Sequence, residues 1–365
     1  MRSDPSSIAA APTPWAQEST FERNIFGAIR LFLALMVLLS HSFPLTLGVE
    51  SSNSTGLLFG ERLGNSAVNC FFAISGFLVG RSWERSEGSR QYLMKRIVRI
   101  YPSFVVLIAL QFFVVVPLIL GDQFPGYSPR DFFSVVLGML KLTSSGLPSG
   151  HFPKLFPGNP YPGELNASLW TIRYEFICYL LLPLVGRGRW RVWIWGGVCC
   201  LSSMVYLSEL VPSTPPTVSM LIGDIRPWPR LLSWFSGGVL FYEYRRRIPH
   251  SPWLASAALV TILLFQVLWR SAVDGALLIC GTYLLFLIAY LPFLQRFAFG
   301  QLGDPSYGIY LYGFPIQQLI VTVWNPIRTG GPYLLLLIAA PIALLVGLAN
   351  WHLLEKRMLR HRRQK

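Results

Sequence analysis

The chain has 365 residues, of which 53% are hydrophobic and 13% are charged, and its formal net charge is +14. Soluble domains average about 25% charged residues, so this composition argues against a soluble protein. The hydrophobic residues come in long runs, which predicts a polytopic membrane protein in contact with lipid. The basic residues lie in short loops between these runs, so we interpret the charge as a membrane-orientation signal and expect no nucleic-acid partner.

The cysteines all fall inside apolar runs and lack the spacing of a metal site or a disulfide framework. This pattern favours a packing role for the thiols. We therefore expect no bound metal. The cysteines are Cys70, Cys178, Cys199, Cys200 and Cys280.

The apolar runs predict an all-α fold with about ten transmembrane helices, since each approaches the roughly 20 residues that cross a bilayer. Residues 1–22, rich in Ala, Pro and Ser, form a predicted flexible tail. Residues 23–355 form the predicted transmembrane domain, and residues 356–365 form a basic tail. The predicted spans are 25–47, 66–81, 100–120, 168–185, 192–208, 229–243, 252–269, 273–291, 306–324 and 333–353.

Four basic clusters set the predicted orientation. They fall on one side of the membrane if the N-terminus is cytoplasmic and the number of spans is even, which places both termini in the cytoplasm. The clusters are Arg81, Arg85, Arg90, Lys95, Arg96 and Arg99; Arg187, Arg189 and Arg191; Arg245, Arg246 and Arg247; and Lys356, Arg357, Arg360, Arg362, Arg363 and Lys365.

The longest connection, 121–166, then lies outside the cytoplasm. It is rich in Gly and Pro, and residues 131–142 within it have the pattern of a short interfacial helix. Connections of this length are either functional, as a lid or an acceptor platform, or simple solvated links. The sequence leaves both interpretations open.

The first span contains two ionisable residues, Arg30 and His41. Such residues are costly in hydrocarbon and mark functional sites. Eleven residues return to nearly the same helix face and rise by about 16 Å. One helix face therefore carries a fixed cation toward one water boundary and an imidazole toward the other. A hydrogen bond between helices explains His41 alone equally well, and Arg30 has the alternative of reaching the headgroups.

Glu175 is the carboxylate that lies well inside a predicted span. Counted from the outer edge, Glu175 is about 10 Å deep and His41 about 9 Å deep. A buried glutamate needs a partner, so the matched depths predict an imidazole–carboxylate pair in which Glu175 orients His41. Pairing of Glu175 with a cation elsewhere is the alternative.

Arg96 and Arg99 lie at the cytoplasmic boundary that Arg30 approaches. Residues three apart share a helix face, and planar guanidinium groups bind phosphate through paired hydrogen bonds. The pair therefore predicts a phosphate clamp, with ordinary positive-inside anchoring as the alternative.

Five motifs in order give the chain a resemblance to the acyltransferase-three family of bacterial integral membrane acyltransferases, from about Asn24 to the C-terminus. The departures are Thr171, where Ser is commoner, and Gly313, where many members have His. The motifs are Arg30 and His41-Ser42; Phe71 to Leu78; Arg96 and Arg99 followed by Tyr101-Pro102; Leu169-Trp170-Thr171 with Glu175 and Tyr179; and Gly303, Ser306, Tyr307, Tyr310 and Leu311.

The resemblance implies transfer of an acyl group, usually acetyl, from cytoplasmic acyl-CoA to a hydroxyl of a glycan at the outer face of the bacterial cytoplasmic membrane. The sequence leaves the acceptor open among an exopolysaccharide, a lipopolysaccharide, peptidoglycan, a lipid-linked oligosaccharide and a small molecule. Acyl-CoA would be a substrate, and we expect no permanently bound cofactor. We expect His41 to be the general base, or else to form a covalent acyl-imidazole. The expected site residues are His41 and Glu175 for catalysis; Arg30, Arg96 and Arg99 for acyl-CoA; and Ser75, Trp170, Tyr174 and Tyr307 for substrate.

A transporter or flippase is the competing class, because intramembrane Arg, His and Glu side chains also form proton relays. Many transporters contain internal repeats with paired broken helices, and this sequence has no such repeat. A scaffold or signalling protein leaves the buried ionisable residues unexplained.

Overall fold

The structure is a computed structural model that describes residues 25–48, 50–51, 57–58, 61–143, 154–269, 272–291, 293–294, 303–324 and 326–361. The predicted N-terminal tail and the last four residues of the predicted basic tail lie outside these ranges. The described residues form helices joined by loops, apart from one short antiparallel hairpin of two-residue strands. The all-α prediction is confirmed at this level.

The elements are numbered here in chain order. Helix α3 contains a π-turn at Gln111–Val115, α10 contains one at Leu277–Gly281, and α12 bends at Gly331 and continues through Trp351–Glu355 to His361. The elements are α1 Phe26–Leu47, β1 Leu57–Leu58, β2 Glu61–Arg62, α2 Leu63–Glu84, α3 Ser89–Gln123, α4 Pro129–Lys141, α5 Trp170–Val185, α6 Arg191–Ser208, α7 Pro216–Ile222, α8 Trp228–Tyr244, α9 Pro252–Leu268, α10 Val273–Ala289, α11 Ser306–Val323 and α12 Pro326–His361.

Among the described helices, α1, α2, α3 and the 329–359 part of α12 are long and apolar enough to cross a membrane. Helices α9 and α10 are apolar but shorter. Helices α5, α6 and α8 have 16 to 18 residues, or about 24–27 Å, slightly less than the roughly 30 Å hydrocarbon core. The number of spans and the side of each terminus stay predictions.

Helix α2 packs closely against α8 because small residues lie where the two helices cross. A Cβ added to Gly76 would lie 2.0 Å from the carbonyl oxygen of Phe235. A Cβ added to Gly238 would lie 2.0 Å from the carbonyl oxygen of Ala73. Small residues let helix backbones approach in this way, so part of the aromatic Ser-Gly segment of α2 is a packing feature.

Residues 154–169 descend along α11. Asn159 Nδ2 donates to the side-chain oxygen of Gln318 at 2.7 Å, and Asn166 Nδ2 donates to the carbonyl of Leu311 at 2.9 Å. These contacts on α11 are seven residues, or about 10 Å, apart. Irregular backbone at membrane depth is tolerated where protein surrounds it and its polar groups are satisfied. Residues 154–169 therefore pack against the helix bundle. The expectation that the connection 121–166 lies outside the cytoplasm stays a prediction.

Helix α4, which the pattern of residues 131–142 predicts as a short interfacial helix, runs along α3. Tyr127 and Phe132 at its start contact Phe112, with ring centroids 4.4 and 5.8 Å away. Near its end, Tyr101 donates from its hydroxyl to the carbonyl of Leu140 at 3.0 Å. The two contacts on α3 are about 16 Å apart. Aromatic packing and this hydrogen bond thus join α4 to α3, and the interfacial position of α4 stays a prediction.

The α2–α8 crossing predicts that Gly76→Ala lowers the free energy of unfolding by about 1–3 kcal/mol, the usual cost of overpacking. Gly197→Ala in α6 is the matched control, because nothing lies within 4 Å of its added Cβ and alanine favours helix. Thermal unfolding in detergent measures both. Equal melting temperatures for the two variants would contradict the close crossing.

Candidate active site

Arg30 and His41 both face α11 from α1. Arg30 Nη1 lies 2.9 Å from Asp304 Oδ2, just before α11 begins. The His41 ring packs edge-on against Phe314, ten residues further along, with centroids 5.1 Å apart. Helix α1 is continuous between them, so the two groups are about 16 Å apart along its axis. We call the two sides of the bundle the Arg30 end and the His41 end.

A cavity of about 470 Å³ opens at the Arg30 end, and we call it the basic cavity. Four cationic side chains and one carboxylate line it, so its lining is strongly positive. Arg96 and Arg99 meet Arg30 here, although they belong to α3. The lining residues are Arg30, Gln91, Lys95, Arg96, Arg99, Asp304 and Leu359.

Arg99 is tied into the structure by two carboxylates. Its Nη2 lies 2.8 Å from Asp304 Oδ2, and its Nη1 pairs with Glu355, which is almost completely buried. The Arg99 guanidinium also lies 5.6 Å from the Trp351 ring and 5.9 Å from the Tyr307 ring. Arg99 therefore joins α3 to α11 and α12 through charges that must be paired when buried.

Arg96 differs from Arg99 because, within the described residues, no carboxylate pairs with it. Its guanidinium lies between the rings of Tyr92 and Tyr179, at 6.0 and 5.8 Å, and its Nη2 donates to Ser82 Oγ at 3.2 Å. Its buried Nε has no hydrogen-bond partner in this part of the chain. Arg96 therefore lines the basic cavity with a positive charge that no carboxylate neutralises among the described residues, and with an Nε–H donor available for a ligand.

Asp304 is the internal counterion of this cavity. Burial tends to raise its pKa, but Arg30 and Arg99, helped by hydrogen bonds from Ser306, hold the pKa of the carboxyl below its usual range. The carboxylate is therefore ionised at neutral pH. An anion entering the cavity has to compete with Asp304 for Arg30 and Arg99.

A narrower inner cavity of about 40 Å³ adjoins the basic cavity, with Arg30 lining both. Glu175 of α5 lines it from one side, and Tyr307 and Tyr310 of α11 line it from another. The Thr171 and Tyr310 hydroxyls are hydrogen-bonded to each other. Polar side chains thus continue from the basic cavity toward the middle of the bundle.

Glu175 does not pair with His41. Its carboxylate accepts hydrogen bonds from Ser75 Oγ at 2.7 Å and from the Tyr179 hydroxyl. The expected His41–Glu175 pair is therefore wrong as a contact. The Ser75 hydroxyl comes from α2 and the Tyr179 hydroxyl from α5. These two hydrogen bonds give the Glu175 carboxylate its partners without a cation.

The depth of Glu175 explains why the pair does not form. Thr171 of α5 is level with Tyr310, whereas His41 is level with Phe314, one turn further along α11. Because α5 runs the opposite way, Glu175 lies one turn beyond Thr171 toward the Arg30 end. Adding the two turns places Glu175 about 12 Å from the level of His41.

His41 is half-buried, and neither ring nitrogen forms a hydrogen bond within the described residues. Beside it, the fully buried Gln317 donates from Nε2 to the carbonyl of Leu38 at 3.0 Å and to Ser42 Oγ at 2.6 Å. Gln317 Oε1 is buried and has no partner among these residues. The His41 end therefore offers a free imidazole beside a buried carboxamide oxygen.

Gly313 permits the close approach of α1 and α11 beside Gln317. A Cβ at this position would lie 2.7 Å from Leu38 Cδ1. A histidine here would need Leu38 to move, which agrees with the departure of this chain from the related pattern.

Of the expected substrate residues, Ser75 and Tyr307 lie in the protein interior. Ser75 contacts Glu175, and the Tyr307 hydroxyl donates to the carbonyl of Ile100 at 3.0 Å. Trp170 and Tyr174 instead line a separate cavity of about 450 Å³ on the opposite face of α5. The nine expected site residues thus divide among the basic cavity, the inner cavity, the His41 end and this further cavity.

Sequence reasoning missed Gln317, Glu355 and the ion-pairing role of Asp304. Gln317 was visible as a polar residue within an apolar run, which marks function in membranes, whereas Glu355 lies just beyond the last predicted span, beside the basic tail. Asp304 accepts a hydrogen bond from the Ser306 backbone at the start of α11 and also pairs with Arg30. The long-range partners of these carboxylates cannot be deduced from their own sequence neighbourhood.

The two arginines should respond differently to substitution. Arg99→Gln leaves Glu355 buried and unpaired, so it should cost about 3–5 kcal/mol of stability. Arg96→Gln removes no ion pair within the described residues and should cost less. Thermal unfolding of both purified variants tests this difference. An Arg99→Gln protein as stable as wild type would contradict the ion-pair arrangement.

Comparisons with known proteins identify the family of the chain. The family model of the acyltransferase-three type, described as an acyltransferase domain, matches residues 24–351. A relative from Shigella phage Sf6 named O-acetyl transferase is 27% identical over 350 residues, which cover 92% of this chain and 96% of the relative. No solved structure matches the chain significantly.

Two further relatives match this chain over most of their own length. Nodulation protein 10 of Rhizobium leguminosarum bv. viciae is 29% identical over 85% of this chain and 87% of its own. Acyltransferase MdmB of Streptomyces mycarofaciens is 24% identical over 79% of this chain and 77% of its own. With a family match over nearly the whole chain, this protein belongs to the acyltransferase-three family of acyltransferases.

Proposed function

We propose that this protein is a multi-pass enzyme of the bacterial cytoplasmic membrane that transfers an acetyl group from acetyl-CoA to a hydroxyl of an exported or cell-surface glycan. Its termini and the Arg30 end face the cytoplasm, and the His41 end faces outward. The name of the Shigella phage relative supports acetyl as the group transferred.

The observation that carries the proposal is the basic cavity and its junction with the inner cavity at Arg30. CoA presents several phosphate charges, and Arg30, Lys95 and Arg96 are suited to receive them. An extended pantetheine arm is on the order of 15–20 Å long, judged from the reach of an extended chain. This length matches the separation of Arg30 and His41, so the thioester of a bound donor would reach the His41 end.

The proposed chemistry uses His41 as a general base. A free ring nitrogen removes the proton from the acceptor hydroxyl, whose oxygen attacks the thioester carbonyl. The C–S bond then breaks, and the imidazolium returns the proton to the departing CoA thiolate. A covalent acyl-imidazole on His41 is the competing route.

Glu175 has a different proposed role from the one expected from sequence. Ser75 and Tyr179 hold its carboxylate in the inner cavity beside the path of the pantetheine arm. We propose that Glu175 accepts hydrogen bonds from the amides of that arm. These hydrogen bonds would position the acetyl-CoA donor. Gln317, which donates to Ser42 next to His41, is closer to His41 than Glu175 is.

The central catalytic prediction is that His41→Ala lowers acetyl transfer by about 10²–10⁴-fold, because the base is lost while the basic cavity is untouched. Label transfer from radiolabelled acetyl-CoA to total glycan in membranes measures this, and acetyl-CoA affinity should stay unchanged. His250→Ala, in the loop before α9, is the control. Normal transfer by the His41→Ala protein would exclude this mechanism.

The phosphate-binding prediction uses two donors. Arg96→Gln should weaken acetyl-CoA binding by about 10–100-fold, the value of a charge-assisted hydrogen bond. S-acetylpantetheine lacks the CoA phosphates, so its affinity should not change. Exposed Arg189→Gln is the control. A transporter without an acyl-CoA site would bind neither donor, and equal losses for both donors would contradict phosphate recognition by Arg96.

A further inference from the structure

The third cavity, of about 450 Å³, lies between α4, α5 and α7, and we call it the α4–α5–α7 cavity. Helix α5 separates it from the inner cavity. Trp170, Arg173 and Tyr174 face the α4–α5–α7 cavity, whereas Thr171 and Glu175 face the inner cavity. These sets follow the spacings of three and four residues that share a helix face, so one short helix serves both spaces.

Arg173 brings a cation to this cavity without a paired carboxylate among the described residues. Its Nε donates to the carbonyl of Lys141 at 3.0 Å, and its Nη1 donates to the carbonyl of Ser219 at 3.0 Å. Both acceptors are uncharged. The guanidinium is thereby fixed in orientation, while its charge and its remaining donors stay available.

The other charged groups around the cavity do not cancel this cation. Lys141 adds a second positive charge to the lining. Asp224 is the carboxylate nearby, and Arg226 and Thr214 already hydrogen-bond to it. The Arg226 guanidinium holds the pKa of Asp224 below its usual range, so the pair is an ionised, internally neutral unit. The cavity therefore has a net positive charge.

Two aromatic rings, those of Trp170 and Tyr174, line the cavity beside apolar side chains of α4 and α7. Trp170 and Tyr174 meet edge to face with centroids 5.7 Å apart, and Trp228 lies 5.0 Å from the Tyr174 ring. The Tyr174 hydroxyl donates to the carbonyl of Asp224 at 2.8 Å. The rings are thus held rigidly, as in sites where a few polar groups and aromatic faces define the ligand.

We propose that the α4–α5–α7 cavity binds a carboxylate-bearing sugar of the acceptor glycan, with Arg173 pairing the carboxylate and the Trp170 face receiving the sugar ring. The proposal rests on the proposed function, which it deepens by naming an acidic acceptor. Arg–carboxylate pairs are frequently bidentate and directional, so this sugar would fix the register of the glycan along α5.

The test compares methyl β-D-glucuronide with methyl β-D-glucoside. The full-length protein is placed in nanodiscs of zwitterionic phosphatidylcholine, and the dissociation constant of each sugar is measured by saturation-transfer NMR. The glucuronide should bind about tenfold or more tightly, the usual effect of one charge-assisted hydrogen bond. Arg173→Gln should abolish the difference, Arg173→Lys should retain part of it, and Arg189→Gln should leave it unchanged.

Equal affinities of the wild-type protein for the two sugars, or no binding of either sugar, would overturn the proposal whether or not the variants fold. So would a preference for glucuronide that persists in Arg173→Gln. Nanodiscs containing phosphatidylglycerol form a further arm. If this lipid displaces the glucuronide through Arg173, the cavity is a headgroup site and the proposal is wrong.

Acetyl-CoA binding is measured in the same nanodiscs. Under the proposed function this binding depends on the basic cavity and not on Arg173. Retained acetyl-CoA binding with no sugar preference would overturn the acidic-sugar proposal alone. If the wild-type protein does not bind acetyl-CoA in these nanodiscs, the proposed function is contradicted instead.

Discussion

The ion cluster in which Asp304 bridges Arg30 and Arg99 determines the geometry of the candidate active site. It joins α1, α3 and the start of α11, and Glu355 extends it to α12. Buried charges are stable only when paired, so these helices are held at a common level. The same cluster lines the basic cavity. The protein therefore uses one set of arginines both for cohesion and as a potential anion site, with Arg96 left outside the internal pairing.

Amide side chains perform the corresponding task at the His41 end. Gln317 joins α11 to α1, while Gln318 and Asn159 hold the descending segment 154–169 against α11. These hydrogen bonds satisfy irregular backbone that would otherwise be unstable at membrane depth. The His41 environment is consequently built by neutral polar groups, in contrast to the ionic Arg30 end. A charged donor and an uncharged acyl group would each meet a suitable environment.

The sequence predicts the part of this arrangement that depends on a single helix. The Arg30–His41 spacing gives their common face and their separation, and the Arg96–Arg99 spacing gives their shared cavity. The depth of a residue in the membrane, counted from the predicted end of a span, is predicted less well. Glu175 was placed level with His41 because α5 was assumed to begin at the membrane surface. The descending segment before α5 removes that assumption, and hydrogen bonds to Ser75 and Tyr179 then satisfy the carboxylate elsewhere.

Long-range pairing is the other feature that the sequence does not contain. Arg99 and Glu355 are 256 residues apart, and nothing in either local pattern identifies the other. Similarly, helix spacing puts Trp170 and Tyr174 on a different face of α5 from Glu175, but the cavity on that face follows from how α4 and α7 pack against α5. Composition and spacing identified the residue types, whereas tertiary packing decided which of them meet.

The most direct test of the proposed geometry is the sidedness of acetyl transfer in sealed, inverted membrane vesicles, whose cytoplasmic face is outward. Radiolabelled acetyl-CoA is added only to the outside, and labelled glycan is assayed for protection from an added esterase. Donor entry at the Arg30 end and transfer at the His41 end predict label on glycan inside the vesicles, protected until detergent is added. Label confined to esterase-accessible glycan outside the vesicles would contradict transfer across the membrane.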